Sequence, residues 1–161
     1  MVIVSVSELR RILPPGRRLL GLDVGTKTIG IAVADASLTV ATPVTTLHRT
    51  RFADDTAHLG RIVAEHEVGG LVIGLPISMD GTEGPRCRSV RQFAANLLKV
   101  IDLPVAFWDE RLSTAAVERM LIHEADLSRA RRRKVVDRAA AAYILQGALD
   151  ASASAGSRDP S

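Results

Sequence analysis

Alternating blocks of apolar and turn-forming residues near the start of the chain predict a β-hairpin. Residues 19–24 and 29–34 are almost entirely apolar, and the four residues between them, 25–28, have the composition of a tight turn. A third run, 39–47, is rich in β-branched residues and predicts another strand, for which Pro43 indicates an edge position or an irregularity. The first part of the chain is therefore predicted to form a three-stranded antiparallel meander.

After residue 53 the apolar positions recur at helical spacing, and two short continuous apolar runs predict strands buried on both faces. Such strands are parallel when helices join them, and the connections are right-handed. We expect Gly69 and Gly70 to end the first helix and Pro85 to begin the second. The predicted elements are, in order, a helix from about 53, a strand at 71–75, a helix at 85–101 and a strand at 105–108.

The remaining chain is predicted to be mostly helical. One helix is expected after Ser113 or Thr114, either of which can cap it, and a last helix is expected from about 135 to 149. The chain then divides into an N-terminal extension at 1–17, one α/β domain at 18–150 and a disordered tail at 151–161.

Composition and charge narrow the class of protein. The 161 residues are 47% hydrophobic, which suffices for one globular domain with its own core. We find no apolar run of the roughly 18 residues that a membrane span needs, and the first residues lack the apolar core of a signal peptide. The single cysteine, Cys87, excludes an internal disulfide and fits a reducing cytosol, so a cytoplasmic protein is expected. The net charge of +3 is compatible with a nucleic-acid partner.

Three carboxylates occupy positions where the pattern calls for apolar residues. Asp23 lies inside the first strand, Glu110 follows the last one, and Asp137 lies on the apolar face of the last helix. A buried carboxylate is costly unless a cation, backbone N–H groups or a metal ion pairs with it. If the three converge, a divalent ion removes their repulsion. The alternative is that Asp23 only bonds the turn that follows it. Asp109 is the alternative to Glu110. Only one of the two can face the site, because adjacent strand residues point to opposite faces.

Four motifs, in this order, resemble the YqgF family. They are GLDVGTKTIGIAVAD from Gly21, GLPISMDGTEGPR from Gly74, DERLSTAAVER from Asp109 and RRKVVDRAAAAYILQ from Arg132. The resemblance extends over about 18–150. Members of this family are RNase H-like and are regarded as pre-16S rRNA nucleases, and they are also described as RuvC-like Holliday junction resolvases. The resemblance implies an α/β fold with a five-stranded mixed sheet, three antiparallel strands then two parallel, and helices on both faces.

The resemblance also implies that Asp23, Glu110 and Asp137 form a catalytic acidic triad that holds Mg²⁺ or Mn²⁺. RuvC-type resolvases carry a further acidic residue near the last one, whereas this chain has Arg138 followed by four alanines there. The departure counts against junction resolution more than against nuclease chemistry in general.

Basic and hydroxyl side chains near the three carboxylates are candidate contacts to a nucleic-acid backbone. For the turn after Asp23 and for the basic run before Asp137, the alternative is an ordinary solvated surface. The candidates are Thr26, Lys27, Thr28, Arg86, Arg111, Arg131, Arg132, Arg133 and Lys134.

We therefore expect a Mg²⁺- or Mn²⁺-dependent hydrolase of phosphodiester bonds that processes the 5′ end of pre-16S rRNA in ribosome biogenesis. The alternatives are a Holliday junction resolvase acting on DNA and a non-catalytic nucleic-acid-binding factor in ribosome assembly or transcription. The expected partner is pre-16S rRNA, a ribosomal particle or branched DNA, with no membrane. The chain itself is expected to be a monomer or a homodimer.

Overall fold

The computed structural model describes residues 3–112 and 129–156. Within 129–138 and 154–156 it describes the course of the backbone only. The helix predicted after Ser113 or Thr114 lies outside the described residues. In the part of the chain that is described, no helix has the length and hydropathy of a membrane span.

The described elements form one mixed sheet with helices on both faces. They are β1 (Ile3–Val4), α1 (Val6–Ile12), β2 (Arg18–Val24), β3 (Thr28–Ala34), β4 (Ala41–His48), α2 (Phe52–Glu65), β5 (Val68–Leu75), α3 (Pro85–Leu98), β6 (Val105–Asp109), a 3₁₀ turn (Glu110–Leu112) and α4 (Arg129–Gly156). The strand order is β1-β6-β5-β2-β3-β4. Strands β2, β3 and β4 pair antiparallel, and the pairs β2–β5, β5–β6 and β6–β1 are parallel. The predicted α/β class and the edge position of the strand with Pro43 are confirmed.

Two hydrophobic clusters cover the two faces of the sheet. Leu20 and Leu22 of β2 belong to the cluster that includes α2 and α3. Leu19, which alternates with them, belongs to the cluster that includes α1 and α4. This alternation decides which side of the sheet each polar residue at the strand ends faces.

The sheet has six strands rather than the five that were expected. Ile3 pairs with Val105 and Val4 with Ala106, so the start of the chain adds a parallel strand at the edge. Helix α1 follows and buries Leu9 completely on the α4 side of the sheet. A two-residue strand is too short for hydrophobic periodicity to reveal it. Capping by Ser5 or Ser7 predicts a short helix through Leu13, and α1, with Ser5 as its N-cap, confirms that helix. Residues 3–12, which the sequence places in an N-terminal extension, thus contribute an edge strand and a helix to the fold.

The expectation that Gly69 and Gly70 end α2 is wrong, because both lie within β5. The chain leaves α2 through Glu67, which adopts a φ of 52°. A Cβ at position 69 would lie 2.8 Å from the Cβ of Arg17, and one at position 70 would lie 2.7 Å from the Cδ1 of Leu9. The glycine pair therefore makes room for α1 and the segment after it to pack against β5.

Helix α4 extends beyond its predicted bounds at both ends. It begins at Arg129, so the backbone of the basic run belongs to the helix, and it ends at Gly156 in what was expected to be a tail. Arg10 of α1 donates from Nη1 to the carbonyl oxygen of Leu149 at 3.3 Å and to Ser152 Oγ at 3.2 Å. These bonds join the last turns of α4 to the N-terminal segment, which explains why the helix continues past residue 150.

Gly21 lets α4 approach the sheet closely. A Cβ there would lie 2.8 Å from Leu145 Cβ and 3.1 Å from the carbonyl oxygen of Ala141. The end of α4 contacts α1 near the start of β2, whereas Ala141 lies over its middle. The turns of α4 that precede Ala141 therefore continue toward the end of β2 that carries Asp23.

Gly21→Ala is expected to lower the free energy of unfolding by about 1–3 kcal/mol, because the added Cβ meets both a side chain and the backbone of α4. Gly60→Ala is the matched control. Gly60 lies in α2 with no atom within 4 Å of an added Cβ, so alanine there should raise stability by up to about 1 kcal/mol. Urea unfolding of both variants measures the two changes, and unaltered stability of Gly21→Ala would contradict the close packing of α4 on β2.

Candidate active site

Asp23 and Glu110 meet at the carboxyl ends of β2 and β6. Asp23 lies two residues after Gly21 and so faces α4, while Glu110 begins the 3₁₀ turn that follows β6. The two carboxyl groups are in hydrogen-bond contact. Strand β5 lies between their strands, so Glu110 must reach across it. Gly74 of β5 provides the space, since a Cβ there would lie 2.6 Å from Glu110 Oε1.

The environment of this pair disfavours two negative charges. The pKa of Glu110 is raised to about 7, first by burial and then by the charge and hydrogen bond of Asp23, while the charge of Arg86 opposes the shift. Near neutral pH Glu110 is therefore partly protonated, and a cation that binds the pair would displace this proton.

Asp109 takes no part in this contact, because it is engaged by a cation on the other side of its strand. Arg111 donates from Nε to both carboxylate oxygens at 2.9 and 3.1 Å and from Nη2 to Oδ2 at 2.6 Å. The hydrogen bonds from Arg111 hold the pKa of Asp109 below its usual range. The Nη1 of Arg111 also lies 3.5 Å from the carbonyl oxygen of Ser78. Of the two adjacent acids, the structure brings Glu110 to Asp23.

The Asp23–Glu110 pair fits a hard divalent cation. Mg²⁺ and Mn²⁺ bind carboxylate oxygens and keep several water ligands, and few protein carboxylates are needed when the substrate contributes phosphate oxygens. Among the described residues, no group of three or more His, Cys, Asp or Glu side chains is placed to hold a metal. The third predicted ligand, Asp137, lies in α4, but its side chain is outside the described residues.

The predicted nucleic-acid contacts divide into three groups. Thr26 and Lys27 are exposed in the turn between β2 and β3, and Thr28 begins β3. Arg86 and Arg111 have partners within the protein, since Arg86 Nη2 donates to the carbonyl oxygen of Val24 at 2.8 Å. The side chains of the basic run lie outside the described residues; they are those of Arg131, Arg132, Arg133 and Lys134.

Arg49 is a residue at the site that sequence reasoning missed. It lies between β4 and α2, and its Nη1 donates to the carbonyl oxygen of Gly25 at 2.7 Å. No motif includes Arg49, and only the pairing of β4 beside β3 brings it to the turn after Asp23. The sequence therefore offered no signal for it.

The overall fold resembles those of Holliday junction resolvases of known structure. Thermus thermophilus RuvC, solved in complex with a Holliday junction substrate, has a TM-score of 0.54 and 16% identity, over 84% of this chain and 94% of that chain. The yeast mitochondrial Holliday junction resolvase Ydc2 has a TM-score of 0.57 and 12% identity, over 95% of this chain and 85% of that chain. At these identities the likeness shows the fold alone. With its carboxylates at the ends of the strands, the chain has the architecture of the RuvC-like class of α/β proteins.

Sequence comparison identifies the family within this class. A model described as "RuvX: Holliday junction resolvase" matches residues 17–151, and the chain belongs to this family. Two similar proteins, each named "Putative pre-16S rRNA nuclease", come from Rhodospirillum rubrum and Roseobacter denitrificans. The first is 59% identical over 94% of both chains, and the second is 58% identical over 93% of both. The YqgF resemblance inferred from the four motifs is confirmed.

Proposed function

We propose that this protein is a divalent-metal-dependent nuclease that cleaves the 5′ end of pre-16S rRNA. The observation that carries the proposal is the contact of Asp23 with Glu110 across Gly74, in a chain of the RuvX family. Relatives that are 59% and 58% identical bear the name of a pre-16S rRNA nuclease, which supports the choice of substrate.

In this proposal Asp23 holds the metal from β2 and Glu110 holds it from the 3₁₀ turn after β6, and Asp137 joins them from α4. When bound, Mg²⁺ or Mn²⁺ neutralises the carboxylates and activates a water molecule for attack on phosphorus. Asp23 is held in the sheet by the register of β2 with β3, where it lies opposite Gly30. The cytoplasm, where ribosomal precursors are found, is the compartment proposed for this reaction.

We assign substrate binding to the turn after β2 and to the basic run at the start of α4. Lys27 and Thr26 are exposed in the turn directly after the strand of Asp23, so they can contact a phosphate that approaches the pair. The basic run Arg131 to Lys134 lies in the first turns of α4, before Asp137, and is proposed to follow the nucleic-acid backbone.

Junction resolution is the second candidate, because the matching family model is described as a Holliday junction resolvase. In this case the same carboxylates would act on branched DNA. The lack of an acidic residue directly after Asp137 is the feature that places this candidate second.

Cleavage by the full chain distinguishes the candidates. We expect the wild type to cut an RNA that contains the 5′ leader of 16S rRNA in Mg²⁺ or Mn²⁺, and to leave it intact in EDTA. A four-way DNA junction is the comparison substrate, and Asp23→Asn prepared in the same way controls for contaminating nucleases. Cleavage of the junction alone would favour the resolvase. Binding of either substrate without metal-dependent cleavage would overturn the nuclease proposal in favour of a binding factor.

A further inference from the structure

We propose that Arg49 and Arg86 are positioning residues that clamp the end of β2, and that this clamp sets the affinity of the Asp23–Glu110 pair for a divalent metal. The inference deepens the proposed function and rests on it, since it concerns the same site. Neither arginine needs to contact the metal or the substrate in this role.

The clamp acts at the end of β2, where this strand pairs with β3 but no longer with β5. The register of β2 with β5 ends at the pair Leu22–Ile73, and β2 then continues through Asp23 and Val24 with β3 as its strand partner. Val24 is buried, so its carbonyl group needs a donor within the protein, and a strand end that lacks such bonds frays more readily. The residue that carries the catalytic carboxylate is therefore on a segment that the sheet supports from one side.

Two guanidinium groups supply donors to this segment. Arg86 Nη2 donates to the carbonyl oxygen of Val24 at 2.8 Å, and Arg49 Nη1 donates to that of Gly25 at 2.7 Å. Hydrogen bonds with a charged donor are shorter and stronger than neutral ones. The two residues come from different elements, since Arg86 lies in the first turn of α3 and Arg49 precedes α2. The two carbonyl groups after Asp23 are thus held from separate parts of the fold.

Arg49 is itself held in place, and Arg86 lies near the carboxylate pair. The guanidinium carbon of Arg49 lies 5.1 Å from the centre of the Phe93 ring, a cation–π distance, and its backbone N–H donates to the carbonyl oxygen of Lys27 at 2.8 Å. Arg86 is close enough to Glu110 for its charge to favour the ionised carboxylate. Both arginines are only partly exposed, and one donor of each is directed at a backbone carbonyl oxygen.

The clamp is tested by whether the variants bind a divalent metal more tightly or more weakly than the wild type. If Arg86 and Arg49 acted only as nearby positive charges, Arg86→Gln and Arg49→Gln would tighten metal binding by removing repulsion. Loss of positioning predicts the reverse, and removing groups that orient metal ligands typically weakens binding 10–100-fold. We expect Mn²⁺ affinity, measured by calorimetry on the full chain without nucleic acid, to fall at least about tenfold in each variant.

Arg51→Gln and Arg88→Gln are the matched controls. Each removes the same charge from an exposed arginine two residues further along the chain, and each should leave Mn²⁺ affinity within about twofold. Arg86→Lys keeps the charge and one donor, so it should recover part of the affinity. It also keeps the test decisive if Arg86→Gln fails to fold.

Two further measurements separate positioning from substrate contact. Exchange of the Gly25 amide hydrogen, which is bonded to the carbonyl oxygen of Thr28, should accelerate in both glutamine variants. The salt dependence of RNA binding should stay unchanged, because a lost phosphate contact would lower the slope by roughly one unit. Unchanged or tighter Mn²⁺ binding, or a lower salt slope with normal Mn²⁺ affinity, would overturn the clamp. A wild type that binds no Mn²⁺ would instead refute the metal site, and with it the proposed function.

Discussion

Glu110→Gln is expected to reduce cleavage at least about 100-fold and, at the same time, to make the metal-free protein more stable. Glutamine keeps the shape of the side chain but cannot supply the negative charge that a metal needs. It also removes the unfavourable charge from a partly buried contact with Asp23. We expect the free energy of unfolding at pH 8 to rise by about 1–2 kcal/mol, after allowance for solvent screening.

The raised pKa of Glu110 also predicts how the stability of the metal-free protein changes with pH. The pKa of Glu110 in the folded chain, about 7, is higher than that of an ordinary glutamate, so the folded state binds the proton more tightly than the unfolded state does. The stabilising contribution is complete below about pH 4.5 and is lost as the pH rises through about 7. The metal-free wild type should lose stability over this range, and Glu110→Gln should lose less.

Urea unfolding in EDTA at pH 5 and pH 8 measures both effects. Asp102→Asn, which neutralises an exposed acid in the turn before β6, is the control and should behave like the wild type. Identical pH dependence in Glu110→Gln and the wild type would show that the carboxyl groups do not repel each other as described.

Asp137→Asn is expected to abolish cleavage while the protein still folds and binds its substrate. Position 137 lies one helical turn before Ala141, and the turns of α4 that precede Ala141 continue toward the carboxyl end of β2. Removing a charge from an apolar helix face lowers a desolvation cost, so stability should not fall. Cells in which this variant is the sole copy should accumulate uncleaved rRNA precursor, which RNA blotting with a leader probe detects.

Asp150→Asn serves as the control for this variant, because Asp150 accepts a bond from Gln146 in an exposed part of α4 far from the carboxylate pair. It should process the precursor normally. Normal processing in Asp137→Asn cells would favour a non-catalytic binding factor. Failure of Asp137→Asn to fold would mean that Asp137 has a structural partner and that its assignment as a metal ligand is wrong.

Sequence reasoning located the elements whose patterns are long enough to repeat. The hairpin around 25–28, the buried strand before Gly74 and the helix that begins at Pro85 all show several periods of their pattern, and the structure contains each of them. The meeting of Asp23 with Glu110 could be foreseen because both lie at the ends of strands and because alternation leaves one of the two adjacent acids facing the site. Their catalytic roles stay predictions.

The features that escaped prediction depend on contacts between distant parts of the chain. Gly69 and Gly70 look like a helix end in the sequence, yet their role is set by Leu9 and Arg17, more than fifty residues earlier. Gly74 was visible as a glycine in an apolar strand, but its purpose emerges only once Glu110 is seen to cross it. Tertiary packing of this kind overrides local preference, and a single sequence does not reveal it.

Both outer strands of the sheet are poor templates for fibril growth. Strand β1 has two residues, and β4 carries Pro43, which cannot donate a hydrogen bond, beside a break in register between Ile31 and Ala32. A second copy therefore finds few backbone groups in line to continue the sheet. The sheet is apolar, yet its edges do not favour edge-to-edge stacking. Association at the high concentrations of overproduction or crystallisation therefore has to use side-chain surfaces.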